Sequence, residues 1–241
     1  FMLTIIIPLR NEIENLKNIK ENFDKNLGDI NYEVIFVNDF SSDKTLEKAN
    51  EIANVSKNYK VFNNQKKGLG GTLNLGIEKS DGDYICFIMA DLSDDINDLK
   101  NYYTSIKSGN LDAVFGSRFI KGSKVTGYPI NKLILNRIFN TFVQILFFNK
   151  YNDYTNAFKI YKAKTIKNML PLVSESFNIF LEIPLKLISR GYSYKIIPIN
   201  WYNRKVGKAK FNIKELRSKY LFTLIYCFIE KLLLNKKNRK N

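Results

Sequence analysis

Asp39 and Asp91 each stand two residues past a short apolar run, a placement suited to holding a ribose or base and a divalent cation. The first run, Val34-Ile35-Phe36-Val37, leads into Asn38-Asp39-Phe40-Ser41-Ser42-Asp43. The second, Tyr84-Ile85-Cys86-Phe87-Ile88-Met89, leads into Ala90-Asp91-Leu92-Ser93-Asp94-Asp95. Between them lies Lys66-Lys67-Gly68-Leu69-Gly70-Gly71, whose glycines either permit a tight turn or let backbone approach a sugar or diphosphate. Arg118, just past the run Ala113–Gly116, is placed to grip phosphate with its planar fork. A second cationic cluster, Arg204-Lys205-Val206-Gly207-Lys208-Ala209-Lys210, suits a flap closing over phosphates. Asp153, Lys159 and Glu182 are further acid–base or positioning candidates. The chain has no His, which excludes Ser-His-Asp, Cys-His and His-ligated metal chemistry.

The elements that must position these residues alternate. Strands are predicted at Leu3–Pro8, Tyr32–Val37, Lys60–Asn63, Tyr84–Met89 and Ala113–Gly116. Helices are predicted from Glu12 to about Asn26 with Asn11 as cap, from Ser42 or Asp43 to Ser56, from the glycine turn to Lys79, and over Ile96–Ser108. This β-α rhythm predicts a mostly parallel, doubly wound α/β sheet, with ligands outside the carboxyl ends of its strands. Past Gly127 the rhythm changes. A long helix is expected over Ile130–Phe148, a strand or turn at Asp153–Phe158, a helix over Ser176–Arg190 and a strand at Tyr194–Pro198. An amphipathic helix follows over Asn212–Leu234, with Leu216, Tyr220, Leu224, Phe228 and Leu232 at four-residue steps.

The chain has 241 residues, 45% hydrophobic and 25% charged, which is ordinary globular composition. Its charge is not ordinary: 38 basic against 23 acidic residues give +15. From Tyr202 onward 12 Lys/Arg oppose 2 Asp/Glu, a net of +10 in the last 40 residues, which suits an anionic lipid surface, nucleic acid or a phosphorylated substrate, and composition does not choose among them. Nucleic acid is not expected, because no recognised module is present and the strand-end acids would repel phosphate. Cys86 and Cys227 lie in apolar runs and read as buried thiols. Pro8, Arg10 and Asn11 interrupt the first apolar run, so no secretory leader is expected, and no run approaches the roughly 18 apolar residues of a membrane span. The aliphatic-aromatic stripes at Ile138–Phe148 and Leu216–Leu234 suit either a core or a lipid surface.

In this order the motifs resemble family 2 glycosyltransferases of the GT-A fold, most closely the dolichol- and polyprenyl-phosphate sugar synthases, from about Leu3 to Phe211. Pro8-Leu9-Arg10-Asn11-Glu12 matches the segment that touches the nucleotide base, and Asp39 matches the nucleotide-binding acid. Gly68-Leu69-Gly70 matches the glycine turn. Ala90-Asp91-Leu92-Ser93 matches the second half of the metal motif, and Arg204-x-x-Gly207-x-x-Lys210 the segment closing over phosphates. The resemblance implies a GT-A (Rossmann-like) domain over residues 1–211 and a basic amphipathic helix and tail over 212–241 on a membrane surface. The nucleotide-sugar contacts would come from Pro8, Arg10, Asn11, Glu12, Asp39, Gly68, Gly70, Ala90 and Asp91. Mg²⁺ or Mn²⁺ would sit on Asp91 and Ser93, and Asp91, Arg118, Asp153, Arg204 and Lys210 would serve catalysis. Three positions depart from the pattern: Met89 replaces the first metal-binding Asp, Phe40 a Gly and Asn38 an Asp.

The activity so implied is inverting transfer from a UDP- or GDP-sugar to a polyprenyl phosphate by a peripheral enzyme at the cytoplasmic membrane face. An acceptor phosphate is already anionic, so no strong base is required. Two other readings remain open: a neutral lipid or glycan hydroxyl as acceptor, with Asp153, Asp94 or Glu182 as base, and a non-catalytic scaffold with a degenerate nucleotide site.

Overall fold

The computed structural model describes residues 1–203 and 213–234. The first half runs β1 (Leu3–Leu9), α1 (Ile13–Asn26), β2 (Tyr32–Asn38), α2 (Thr45–Val55), β3 (Tyr59–Asn63), α3 (Leu69–Lys79), β4 (Tyr84–Phe87), α4 (Ile96–Gly109) and β5 (Ala113–Ser117). The second half runs β6 (Lys124–Thr126), α5 (Ile130–Phe147), β7 (Lys159–Lys162), α6 (Ala163–Lys167), α7 (Ile179–Ser189), β8 (Tyr194–Pro198), β9 (Asn200–Tyr202) and α8 (Ile213–Leu233). Seven strands form one sheet in the order β3-β2-β1-β4-β7-β5-β8, with only β7 antiparallel to its neighbours. This is the expected mostly parallel sheet flanked by helices.

β1 is buried along its whole length, which explains its continuous apolar run. The two-residue period of the strand sorts its side chains into two layers. Leu3, Ile5, Ile7 and Leu9 join Val34, Phe36 and Cys86 on one face, packed beneath Leu16, Ile19 and Phe23 of α1 and Leu99, Tyr102 and Ile106 of α4. Ile6 joins Ile35, Val37, Ile85 and Phe87 on the other, facing Leu73 and Ile77 of α3 and most of α7. β1 lies between β2 and β4. The chain goes outward to β2 and β3, then crosses back through α3 to β4. That reversal makes the carboxyl ends of β1, β2 and β4 the place where a sheet of this kind takes a ligand, and the strand-end acids stand there.

Several boundaries differ from expectation. Asn11 is not a cap: it takes a left-handed backbone (φ 52°) one residue before Glu12, the residue that precedes α1. α2 begins at Thr45, whose backbone N–H donates to Asp43 Oδ1 at 3.0 Å. β4 stops at Phe87, two residues short. Asp153–Phe158 is a turn, and the strand that returns to the sheet is the next segment, Lys159–Lys162. In α8 the row Tyr220, Leu224 and Phe228 does pack inward, but Leu232 is exposed and a second apolar row (Leu221, Phe222, Ile225, Ile229) faces outward. The side chain of Leu216 lies outside the described residues. So does the 211/212 boundary. α8 docks on the segments at either end of α7: Thr223 Oγ1 lies 3.2 Å from Ser174 Oγ, and Arg190 Nε donates to Glu230 Oε1 at 2.8 Å.

Candidate active site

Asp39 is fixed by the sheet itself. Its N–H donates to the Leu9 carbonyl at 2.7 Å, which sets the carboxylate at the joint end of β1 and β2. Oδ1 accepts from Gly68 N at 2.8 Å and Asn64 Nδ2 at 2.9 Å, while Oδ2 faces Arg10 Nη1 at 3.8 Å. Asn64 was not singled out from the sequence, yet it is the hub here. Its Nδ2 lies within 3.2 Å of Asp39 Oδ1, the Lys66 and Gly68 carbonyls and Thr72 Oγ1. A lone Asn at a strand end carries no spacing signal that could have found it.

The two loops flanking Asp39 are pinned to each other. Asn11 Oδ1 accepts from Ser42 N at 2.8 Å, Asn11 N donates to Ser41 Oγ, and Glu12 N donates to Thr45 Oγ1 at 2.9 Å. Pro8 is buried within β1, while Arg10 and Asn11 are exposed at the crevice edge. Thus Pro8, Asn11 and Glu12 build the rim of the crevice, whatever else they touch.

Of the two readings of the glycine turn, the structure supplies a tight fit to the chain's own backbone. A Cβ at Gly70 would lie 1.9 Å from the Ser174 carbonyl oxygen, and one at Gly68 (φ +117°) would lie 2.8 Å from that of Glu175. Gly70 N also donates to the Glu175 carbonyl at 3.0 Å. The space that a side chain would take at these two glycines is therefore filled by the backbone of residues 174 and 175. Glu182, a candidate base, explains why that segment holds its place. It is fully buried and accepts from Val173 N at 3.0 Å, Ser174 N at 2.8 Å and Lys186 Nζ at 3.2 Å. These three contacts make it an anchor of that segment.

Asp91 Oδ1 accepts from Ser93 N at 3.1 Å. Ala90 is buried, and Met89 packs into the apolar layer below, so neither side chain adds an oxygen to the crevice. Phe40 (φ 54°) and Leu92 (φ 53°) directly follow Asp39 and Asp91, and both hold left-handed backbone. For a residue with a Cβ this costs roughly 1–2 kcal/mol, and such strain collects at functional sites. It also accounts for the glycine of the family pattern at position 40. Among the described residues no three His, Cys, Asp or Glu side chains converge as a closed metal cage requires. A Mg²⁺-type ion held largely by substrate phosphates needs only one or two carboxylates, and Asp91 at the crevice meets that lesser demand.

Asp94, half-buried below Asp91, is pushed up to about 7 by burial and next by the Asp91 charge, against the pull of Arg118 and Lys159. A carboxyl raised in the folded state gives stability that is present at low pH and lost as pH rises through that value. Asp94→Asn removes the penalty. Without divalent cations, its melting temperature is expected above wild type at pH 8, with the gap closing by pH 5; an equal gap at both pH values would contradict this.

Arg118 does not reach freely into the crevice. Its backbone N and Nε both donate to Asp153 Oδ2 at 2.9 Å, and Nη2 donates to Oδ1 at 2.7 Å. Phe119, Tyr128 and Trp201 surround the guanidinium at 5.3–5.9 Å. Burial works against its charge, but Asp153 outweighs burial and holds it protonated. Asp153 in turn has both oxygens engaged by Arg118. Lys159 is fully buried, its ammonium on the Tyr154 and Asn156 carbonyls, and burial pulls it down to about 7. It ties the turn that carries Asp153. Arg204 and Lys210 lie outside the described residues.

With this geometry in view, residues 4–170 match the family model described as Glycosyl transferase family 2. The dolichol-phosphate mannosyltransferase of Pyrococcus furiosus is 28% identical over 217 residues, covering 89% of this chain and 60% of the relative. The polyprenol monophosphomannose synthase of Mycolicibacterium smegmatis is 24% identical over 220 residues, covering 88% and 82%. The chain thus spans about 60% of the length of the first of these relatives. Among solved structures, glucosyl-3-phosphoglycerate synthase of Mycobacterium tuberculosis, in complex with Mn²⁺, UDP and glucosyl-3-phosphoglycerate, superposes with a TM-score of 0.69 at 14% identity, covering 94% of this chain and 79% of that one. The S. aureus TarS 1-349 structure gives 0.66 at 16% identity, covering 99% and 68%. At such identities these likenesses speak for the fold alone.

Proposed function

The chain belongs to glycosyl transferase family 2, and from that premise we propose that it moves a sugar from a nucleotide sugar to a polyprenyl phosphate at the cytoplasmic face of a membrane. The observation that carries this reading is that Asp39 and Asp91 follow the carboxyl ends of β2 and β4, parallel strands on either side of β1. Relatives named for the same class of transfer support it.

In this reading Asp39, with the pinned rim of Pro8, Arg10, Asn11 and Glu12, holds the nucleoside of a UDP- or GDP-sugar, while Gly68, Gly70 and Ala90 shape the floor. Asp91, assisted by Ser93, would hold Mg²⁺ or Mn²⁺ against the diphosphate. When bound, that cation offsets the negative charge gathering on the departing nucleoside diphosphate. Arg118, locked by Asp153, adds a fixed positive charge beside it, and Arg204 and Lys210 would complete the cationic wall. The acceptor phosphate is anionic and attacks without losing a proton, which agrees with a site where Asp153 and Glu182 are both fully engaged.

Membrane contact is supported by the outer surface. Phe139 of α5 packs on Tyr220 of α8 at 5.5 Å, and Phe147 on Phe228 at 6.0 Å, which joins the two helices side by side. Each helix also carries exposed apolar side chains, Ile134, Ile138 and Phe142 on α5 and Phe222, Ile225 and Ile229 on α8, all about half exposed or more. Exposed apolar side chains with a basic chain end are what an amphipathic interfacial element presents to anionic lipid. No helix among the described residues is long and apolar enough to cross a membrane.

A second reading, transfer to a neutral hydroxyl, rests on Asp94, which burial and the neighbouring Asp91 charge push up to about 7, where a carboxyl can take a proton near neutral pH. One experiment decides between them. Purified chain with Mn²⁺ and a panel of UDP- and GDP-sugars is offered undecaprenyl phosphate or diacylglycerol in anionic vesicles. Turnover on the phosphate is expected with one donor class, together with co-sedimentation on anionic but not neutral vesicles. Turnover confined to diacylglycerol would favour the second reading.

A further inference from the structure

Asp39 offers a ligand one oxygen, not two. Oδ1 already accepts from Gly68 N at 2.8 Å and from Asn64 Nδ2 at 2.9 Å, which fills both of its lone-pair directions. Among the described residues Oδ2 accepts no hydrogen bond, and Arg10 Nη1 stands 3.8 Å from it, an ion pair too long for one. Neither donor on Oδ1 can step aside. Asn64 is buried, and its N–H donates to the Asn38 carbonyl at 2.9 Å. Its Oδ1 accepts from Lys66 N at 3.2 Å, and its Nδ2 also donates to the Lys66 carbonyl at 2.6 Å. Gly68 N is main chain in the turn that opens α3, where Thr72 N and Thr72 Oγ1 both donate to the Gly68 carbonyl.

The spacing of the two acids says which part of a nucleotide meets that oxygen. β2 and β4 flank β1, so positions past their ends lie two strand spacings apart, ~10 Å. With a diphosphate at Asp91, that span reaches the far edge of a base, past the ribose hydroxyls. The edges of the bases differ in their donors. Uracil presents one, N3–H, between two carbonyls. Guanine presents N1–H and N2–H₂ side by side, a pair that a carboxylate takes with both oxygens. Cytosine and adenine present a bare ring nitrogen there, which a carboxylate repels. One available oxygen beside a guanidinium matches uracil: Oδ2 accepts from N3–H, and Arg10 is placed to donate to an adjoining carbonyl. Guanine would bring a second donor for which Asp39 has no acceptor left.

We propose that the donor is a uridine nucleotide sugar, and that Asn64 is the positioning residue that sets this choice by holding Asp39 to a single accepting oxygen. This rests on the nucleotide-sugar reading above and names the base that it left open.

The test is calorimetry on the full chain with Mn²⁺, comparing UDP, GDP, CDP and the diphosphate of 3-methyluridine. UDP is expected to bind about tenfold or more tightly than GDP or CDP, the effect of one polar group left unsatisfied. The 3-methyl analogue carries a methyl in place of the N3 proton and should also lose about tenfold or more. These comparisons use the wild-type protein and so do not depend on a variant's folding. Asn64→Ala, checked for folding by circular dichroism, should bring the UDP-to-GDP ratio to within about threefold of unity. A loss of stability alone would weaken both nucleotides and leave their ratio in place. GDP or 3-methyluridine diphosphate bound as tightly as UDP overturns the base assignment while the nucleotide-site reading stands. An unchanged ratio in folded Asn64→Ala overturns the role of Asn64. If UDP binds selectively but no UDP-sugar is transferred to a polyprenyl phosphate, the proposed reaction fails and the base assignment stands. If none of the nucleotides binds, both fail.

Discussion

Asp91→Asn is expected to lower kcat by about 10²–10³, the scale seen when one preorganised group that stabilises developing charge is removed. The substitution isolates charge. Asn keeps an Oδ1 that can accept from Ser93 N, so the loop geometry at 91–93 survives, and only the anionic oxygen pair is lost. The effect should be large here because position 89, which carries the first metal-binding acid in the family pattern, is Met, packed into the core. With no second acid at that position, one carboxylate would bear the cation in the proposed reaction. Mn²⁺ affinity without nucleotide should therefore be weak, rise when UDP is added, and fall in the variant under both conditions. Turnover and Mn²⁺ affinity both within about threefold of wild type would remove Asp91 from the role.

Much of the first half of the fold was legible because each buried parallel strand must be apolar on both faces, while each helix needs one apolar stripe. Runs such as Leu3–Leu9 admit no other element of that length. β7 was missed for the converse reason: Lys159-Ile-Tyr-Lys begins and ends in lysine, and a buried Lys is intelligible only once the carbonyls of Tyr154 and Asn156 are seen around its ammonium. Of the candidate site, the placement of Asp39 and Asp91 past the ends of β2 and β4 was legible, because it follows from chain order. The site's pairings were not. Asp153 and Arg118 lie 35 residues apart, and only the antiparallel return of β7 between β4 and β5 brings the turn before it against the end of β5. Likewise a glycine turn looks the same in sequence whether a ligand or residues 174 and 175 fill the space beside it.

That pairing carries the other large effect. Asp153→Asn should destabilise the protein by about 3–5 kcal/mol, the cost of leaving one member of a buried ion pair without its partner. In a chain of this length this corresponds to a fall in melting temperature of about 6–20 °C. The geometry makes the amide a poor substitute. All three contacts on Asp153 come from donors, two on Oδ2 and one on Oδ1, so an Asn must turn its own NH₂ toward an Arg118 N–H. Arg118 is nearly as buried as its partner and cannot recover the loss from water. Replacing both, Arg118→Met with Asp153→Leu, removes the two charges together and should return part of the stability while leaving the enzyme inactive. The comparison separates two accounts of Asp153. If it were a general base, Asp153→Asn would fold and melt like wild type and lose activity alone, most steeply at high pH. If it is the anchor of Arg118, stability and activity fall together in the single variant and part company in the double one.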